Sequence, residues 1–189
     1  MTGLIEHLEG YLGPIRGGWA QDADGEEMPF QIAWFDQGAG EGVVSFATLG
    51  LGRYPLRLPE AGRTIRHELL MLADSETAAT GLLPHLVQQV GEQAVRYGRP
   101  FLCGEVIGPR GPLLPGSLLE AFYVAMPVYF PDDFAVCESP DGPIVIAWLV
   151  PITAGEARYV AFNGWNAFED RLVEQDPDLT SFSRQSIVL

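Results

Sequence analysis

Apolar residues recur with helical spacing at Leu4, Ile5, Leu8, Tyr11 and Leu12, and Gly13-Pro14 ends the run. The pattern predicts a short amphipathic helix capped by Thr2. Next, Ile15 to Trp19 and Pro29 to Phe35 flank Asp24-Gly25 and predict a hairpin, and Gly42 to Thr48 is a further β-rich run. Leu49 to Arg63, rich in Gly, Pro and Arg, reads as a connecting loop ahead of a strand in His67 to Ala73. Asp74 or Ser75 then caps a helix that begins near Glu76 and follows Leu82, Leu83, Leu86, Val90 and Ala94 as far as Tyr97. Pro84 is tolerable there only near a first turn. Later runs, Phe101 to Ile107, Phe122 to Phe130, Ala135 to Glu138 and Ile144 to Val150, predict strands, with Asp141-Gly142 turning between the last two.

The last helical region starts with a capping-box spacing, Thr153 to Glu156, and is broken at Asn163, Gly164 and Trp165. Asn163-Gly164 suits a left-handed helix end, after which Trp165, Phe168 and Leu172 share one face of a second helix. The break therefore reads as a corner with an aromatic anchor. Helix, strands, central helix, strands and terminal helices follow one another without the strict strand-helix alternation of a doubly wound sheet, which favours an α+β layer structure. The expected fold is α+β, a mixed, largely antiparallel sheet flanked by helices, in a single domain over residues 1–189.

With 47% hydrophobic and 19% charged residues, the chain can bury enough apolar surface to offset the entropy of ordering. All 11 basic residues are arginine, which removes Schiff-base lysines, lysine general bases and the P-loop lysine. A formal charge of −14 opposes approach to nucleic acid or an anionic membrane and steers a basic protein inward; solubility alone is the plainer account of the same charge. Cys103 and Cys137 lack metal-site spacing and read as two reduced, buried thiols, with a single disulfide as the alternative. The segment MTGLIEHLEG has acids where a signal peptide needs bases, and Ile144 to Val150 is too short to span a bilayer, so a cytoplasmic location is expected.

Catalytic patterns fare poorly. His67-Glu68 resembles the start of a zinc-protease helix, but Met71 occupies the second histidine position and the context is β-rich. His7 and His85 lie far apart on predicted helices. Gly50 and Gly52 begin a glycine fingerprint, yet Pro55 holds its third position and no helix follows to present amide donors to a pyrophosphate. Asp22 and Asp24 lack the remaining ligands of a calcium loop and suit a hairpin turn. No GxSxG elbow surrounds Ser45, Ser117 or Ser139. Asp132-Asp133 could hold a cation or a basic side chain, but a solvated turn is the favoured reading. No cofactor or metal is expected.

Several blocks in this order resemble the Suppressor of fused family, specifically its amino-terminal domain. They are VVSFATLGLG from Val43, HELLML from His67, VGEQAVRYGRPFLCGEVIGP from Val90, PLLPGSLLEAFYVAMP from Pro112, IAWLVPITAGEARYVAFNGW from Ile146 and the final DLTSFSRQSIV with Arg184. The resemblance implies a non-enzymatic binding domain. Animal members sequester a zinc-finger transcription factor by gripping an extended peptide between two domains, partly as an added strand. Bacterial single-domain members resemble immunity proteins of polymorphic toxin systems, and this chain is similar to that type, without the second domain of the clamp. Tyr97 and Glu105 fall where animal members carry a tyrosine and an aspartate that help hold the peptide. The implied partner is a protein or extended peptide, such as a basic toxin. The competing class is a small metal-dependent or acid-base hydrolase using Asp132, Asp133, Glu105 or His67.

Overall fold

A computed structural model describes residues 3–22, 24–58 and 62–188. Helix α1 (Leu4–Leu12) precedes the hairpin strands β1 (Gly17–Gln21) and β2 (Glu27–Phe35), then β3 (Val43–Leu49), β4 (Leu56–Arg57) and β5 (Thr64–Asp74). The short α2 (Ser75–Ala78) and the long α3 (Leu83–Tyr97) follow, then β6 (Val106–Ile107), β7 (Leu119–Ala125), β8 (Val136–Cys137) and β9 (Ile144–Thr153). Helices α4 (Ala154–Asn163) and α5 (Trp165–Gln175) precede an irregular carboxy-terminal strap.

The strands form one nine-stranded sheet in the order β1-β2-β3-β5-β9-β7-β6, with β4 on β5 and β8 on β9. Only the central pair is parallel, Arg66 to Leu70 beside Ile144 to Trp148; all other pairs among the described residues are antiparallel. This is the expected α+β class, with helices on both faces. Alternate residues of β5 separate the two cores. Leu70 and Leu72 join α1, α4 and α5 on one face, whereas Leu69 and Met71 join α3 on the other. Burial on both faces is why β5 and β9 read as continuous apolar runs.

Several boundaries differ from the sequence expectation. The Thr2 cap lies outside the described residues; Gly3 stands at the cap position of α1 and donates its N–H to Glu6 Oε2 at 3.1 Å. The helix predicted from Glu76 to Tyr97 is two helices. Asp74 caps α2 through Thr77 N, Thr80-Gly81 separates the pair, and Pro84 lies in the first turn of α3, where no N–H is missed. The run Phe101 to Ile107 is strand only at Val106–Ile107, because a Leu102–Glu105 turn (Glu105 N to Leu102 O, 3.0 Å) occupies its first half. Phe122 to Phe130 instead begins at Leu119 and ends at Ala125, before Pro127. Within Leu49 to Arg63 lie a 3-10 turn, Leu51–Arg53, and strand β4.

Candidate functional site

One edge of the sheet is β6, and the candidate site is built around it. Val106 stands opposite Tyr123 and Ile107 opposite Phe122. Val124 N donates to Glu105 O at 2.9 Å, so the bonded position next to Val106 is Glu105, and antiparallel alternation turns the N–H and C=O of Val106 away from β7. No further strand covers them among the described residues.

Three segments frame this edge. Tyr97, the last residue of α3, is 67% exposed and does not pack into the core. Two residues later Arg99 forms an ion pair with the half-buried Glu105, which fixes the carboxylate beside the edge. The third segment is the start of α5. Gly104 has φ +89, and a Cβ there would come within 2.8 Å of Trp165 Cγ, so only glycine allows the indole to lie this close to the chain entering β6. Trp165 is 47% exposed and Phe162, on the last turn of α4, 85%. The aromatic anchor of the corner is Phe168 instead, fully buried and edge-on to Tyr123 with ring centroids 5.1 Å apart. Burying such a side chain contributes on the order of 2 kcal/mol.

Behind the edge, Tyr123 Oη donates to Glu169 Oε1 at 2.8 Å. Burial, then that hydrogen bond and charge, push the Tyr123 hydroxyl above its ordinary range. Partial burial and the Glu169 charge also raise the Cys103 thiol, which makes it a poor nucleophile. Cys103 is exposed, contrary to the buried thiol expected; Cys137 is buried, and both are free. On the α3 side of the same edge lies a recess of about 280 Å³, floored by Val90, Ile107 and Phe122 and rimmed by Leu86, Arg110 and Glu120.

The remaining candidates lie elsewhere. Asp132 and Asp133 are exposed on a 3-10 turn whose Phe134 packs against α1, with His7 and Phe134 rings stacked 5.8 Å apart. They are not brought to Tyr97 and Glu105. His67 lies 1% exposed in β5, stacked on Phe101, with both ring nitrogens unpaired; burial lowers its pKa to about 4. The four residues named for a hydrolase therefore do not converge. Among the described residues no group of three His, Cys, Asp or Glu is placed to hold a metal ion, and no helix is long and apolar enough to cross a membrane.

Sequence reasoning missed one site altogether. Glu68, fully buried, accepts from Thr48 Oγ1 at 2.6 Å and from the amides of Gly50, Leu51 and Gly52 at 3.0, 3.2 and 3.0 Å. The glycine loop does present amide donors, but to the protein's own carboxylate, which fills the nest that a phosphate would need. Burial pushes Glu68 up to about 7 against the pull of these four donors. The spacing of Gly50 and Gly52 was the available signal; its carboxylate partner was hidden because it arrives from another strand.

The family model for Suppressor of fused protein (SUFU) matches residues 26–185. No curated protein sequence matches at a significant level. In fold, the chain is similar to a putative SUFU homolog from Neisseria gonorrhoeae FA 1090, with TM-score 0.74 and 18% identity over 97% of this chain and 93% of that one. A chain of the Sufu-Fu complex gives TM-score 0.74 and 16% identity over 97% of this chain and 90% of that one. Drosophila Suppressor of Fused gives 0.73 and 16% over 97% of this chain and 50% of that one, so the chain spans half the length of the fly protein. SUFU domains bind proteins. The match across residues 26–185, borne on the nine-stranded fold, places this chain in the Suppressor of fused family.

Proposed function

We propose that the chain is a non-enzymatic binding domain that sequesters a basic polypeptide by adding an extended segment of it to the free edge of β6. The observation that carries this reading is the outward-facing N–H and C=O of Val106, flanked by exposed Tyr97 and by Glu105. Tyr97 and Glu105 hold the guest segment, and Asp132 and Asp133 add to the long-range field of a −14 chain that draws the partner in. The biological form of this role is immunity: the partner is a toxin whose basic cleft is covered, as the family resemblance suggests.

The test uses Val106→Pro. Proline removes the outward N–H without breaking a β6–β7 hydrogen bond, and edge strands tolerate it. A partner recovered by affinity purification with the chain as bait should bind the variant at least about tenfold more weakly, the cost of a lost main-chain pairing of about 1.4 kcal/mol. Coexpression of the wild-type chain should relieve that partner's toxicity to the host cell. Equal binding by the variant rules out edge addition, and unrelieved toxicity rules out the immunity role.

A further inference from the structure

The two sides of the β6 edge differ in chemistry, and together they specify a guest sequence; this rests on the edge-addition reading above. A strand laid on β6 places the residue opposite Val106 on the α5 side, and its neighbour opposite Ile107 on the α3 side, because successive side chains alternate. On the α5 side, Tyr123 stands across from Val106 and its hydroxyl donates a hydrogen bond to Glu169 at 2.8 Å. Among the described residues Glu169 has no ion-pair partner, whereas Glu105 is already paired with Arg99. Beside it lies the half-exposed Trp165 ring, packed on Gly104. A carboxylate next to an indole face suits a cationic side chain, through charge and through cation–π contact.

On the α3 side, Ile107 opens into the recess of about 280 Å³ floored by Val90 and Phe122. That volume accepts one branched or aromatic side chain, and Arg110 at its rim is engaged by Gln93 at 2.8 Å, leaving an apolar floor. We infer that the domain recognises an extended partner segment in which a lysine or arginine, seated between Trp165 and Glu169, is followed or preceded by a large apolar residue seated in the Val90–Ile107–Phe122 recess. The cation supplies charge complementarity to an acidic host, and the apolar neighbour fixes the register, since a slip of one residue would exchange the two side chains between faces.

A phage-displayed library of random nine-residue peptides, selected on the folded chain, tests this. Enriched peptides should share adjacent basic and large apolar positions. One such peptide, measured by fluorescence anisotropy, should lose about tenfold to a hundredfold in affinity when its apolar residue becomes serine, a pocket effect of this size. Glu169→Gln should erase the preference for arginine over glutamine at the basic position while leaving the apolar preference. Gln89→Trp, an exposed change at the recess, should erase the apolar preference alone. Enriched peptides that bind through Val106 but show neither preference overturn the pairing rule while keeping edge addition. Peptides indifferent to Val106→Pro overturn both. No enrichment, or a dimer of the chain itself abolished by Val106→Pro, also overturns the inference, the latter because a second copy then occupies the edge.

Discussion

At the scale of single residues, β5 carries two buried titratable side chains on opposite faces whose pH effects oppose each other. Glu68 has its folded pKa raised to about 7 by burial, so the folded state keeps a proton that the unfolded chain releases. Its stabilising contribution is therefore complete below about 4.5 and is lost as the pH rises through about 7. His67 is lowered to about 4 by burial, so the unfolded chain takes up a proton first; its contribution is complete above 6.5 and is lost as the pH falls through about 4. Each amounts to roughly 3 kcal/mol at full extent. In the window they share, between about 4.5 and 6.5, the two slopes oppose each other, so together the pair should leave little net dependence of the urea midpoint on pH. Glu68→Gln should unmask a decline toward acid, and His67→Phe a decline from acid toward neutral. Flat profiles in both variants would contradict the burial of these groups as charged or neutral species.

At the scale of elements, the carboxy-terminal strap is tied to α4 through one carboxylate. Glu156 closes the capping box expected from Thr153, with Thr153 N to Glu156 Oε2 at 2.7 Å and Glu156 N to Thr153 Oγ1 at 3.1 Å. The same side chain also accepts from both terminal guanidinium nitrogens of Arg184, Nη1 at 2.7 Å and Nη2 at 2.9 Å, and from the amide of Ile187 at 3.0 Å. Burial raises the Glu156 pKa, but Arg184 and the two amides outweigh it, so the net shift is downward. Arg184→Met should cost about 3 to 5 kcal/mol by leaving a buried carboxylate without its cation, and adding Glu156→Gln should return part of it. Urea unfolding of the single and double variants measures this; equal loss in both would show that packing of the strap, not charge, is at stake. Gly164, at φ +83 and ψ 162, lies in a region reserved for glycine, so Gly164→Ala should cost about 1 to 3 kcal/mol in the same assay. The capping box and the corner were legible because each needs only residues a few positions apart. The left-handed helix end expected at Asn163-Gly164 was not what formed: Asn163 stays helical and donates Nδ2–H to Tyr159 O, and Gly164 turns the chain with an extended ψ. Arg184 and Glu68 were not legible as partners, since Arg184 meets Glu156 across 28 positions and Glu68 meets Gly52 across 16. Likewise, that Phe168 is buried against Tyr123 while Trp165 lies exposed on Gly104 is decided by the approach of α5 to the β6 edge, which no local pattern encodes.

At the scale of the whole molecule, the charge of −14 acts twice, with opposite consequences for folding and for binding. Ion pairs take up little of it: apart from the buried Arg184–Glu156 pair, the pairs among the described residues are exposed or half-exposed, and such pairs contribute about 0 to 1 kcal/mol each. The unpaired acids repel one another most strongly in the compact state, so screening should stabilise the fold. Under the proposed function the same acids would draw in a basic partner, so screening should weaken the complex. Between about 0.01 M and 1 M salt, where the screening length shrinks from about 30 Å to about 3 Å, the urea midpoint of the free chain should rise while affinity for the basic peptide falls. The fall should come mainly from slower association, because long-range attraction governs encounter, whereas main-chain pairing at Val106, if it is the binding mode proposed, would govern how long the complex lasts. Stopped-flow association and dissociation rates separate the two terms. A dissociation rate that climbs steeply with salt while association stays constant would place the binding energy in short-range ion pairs and remove the acidic field from the mechanism.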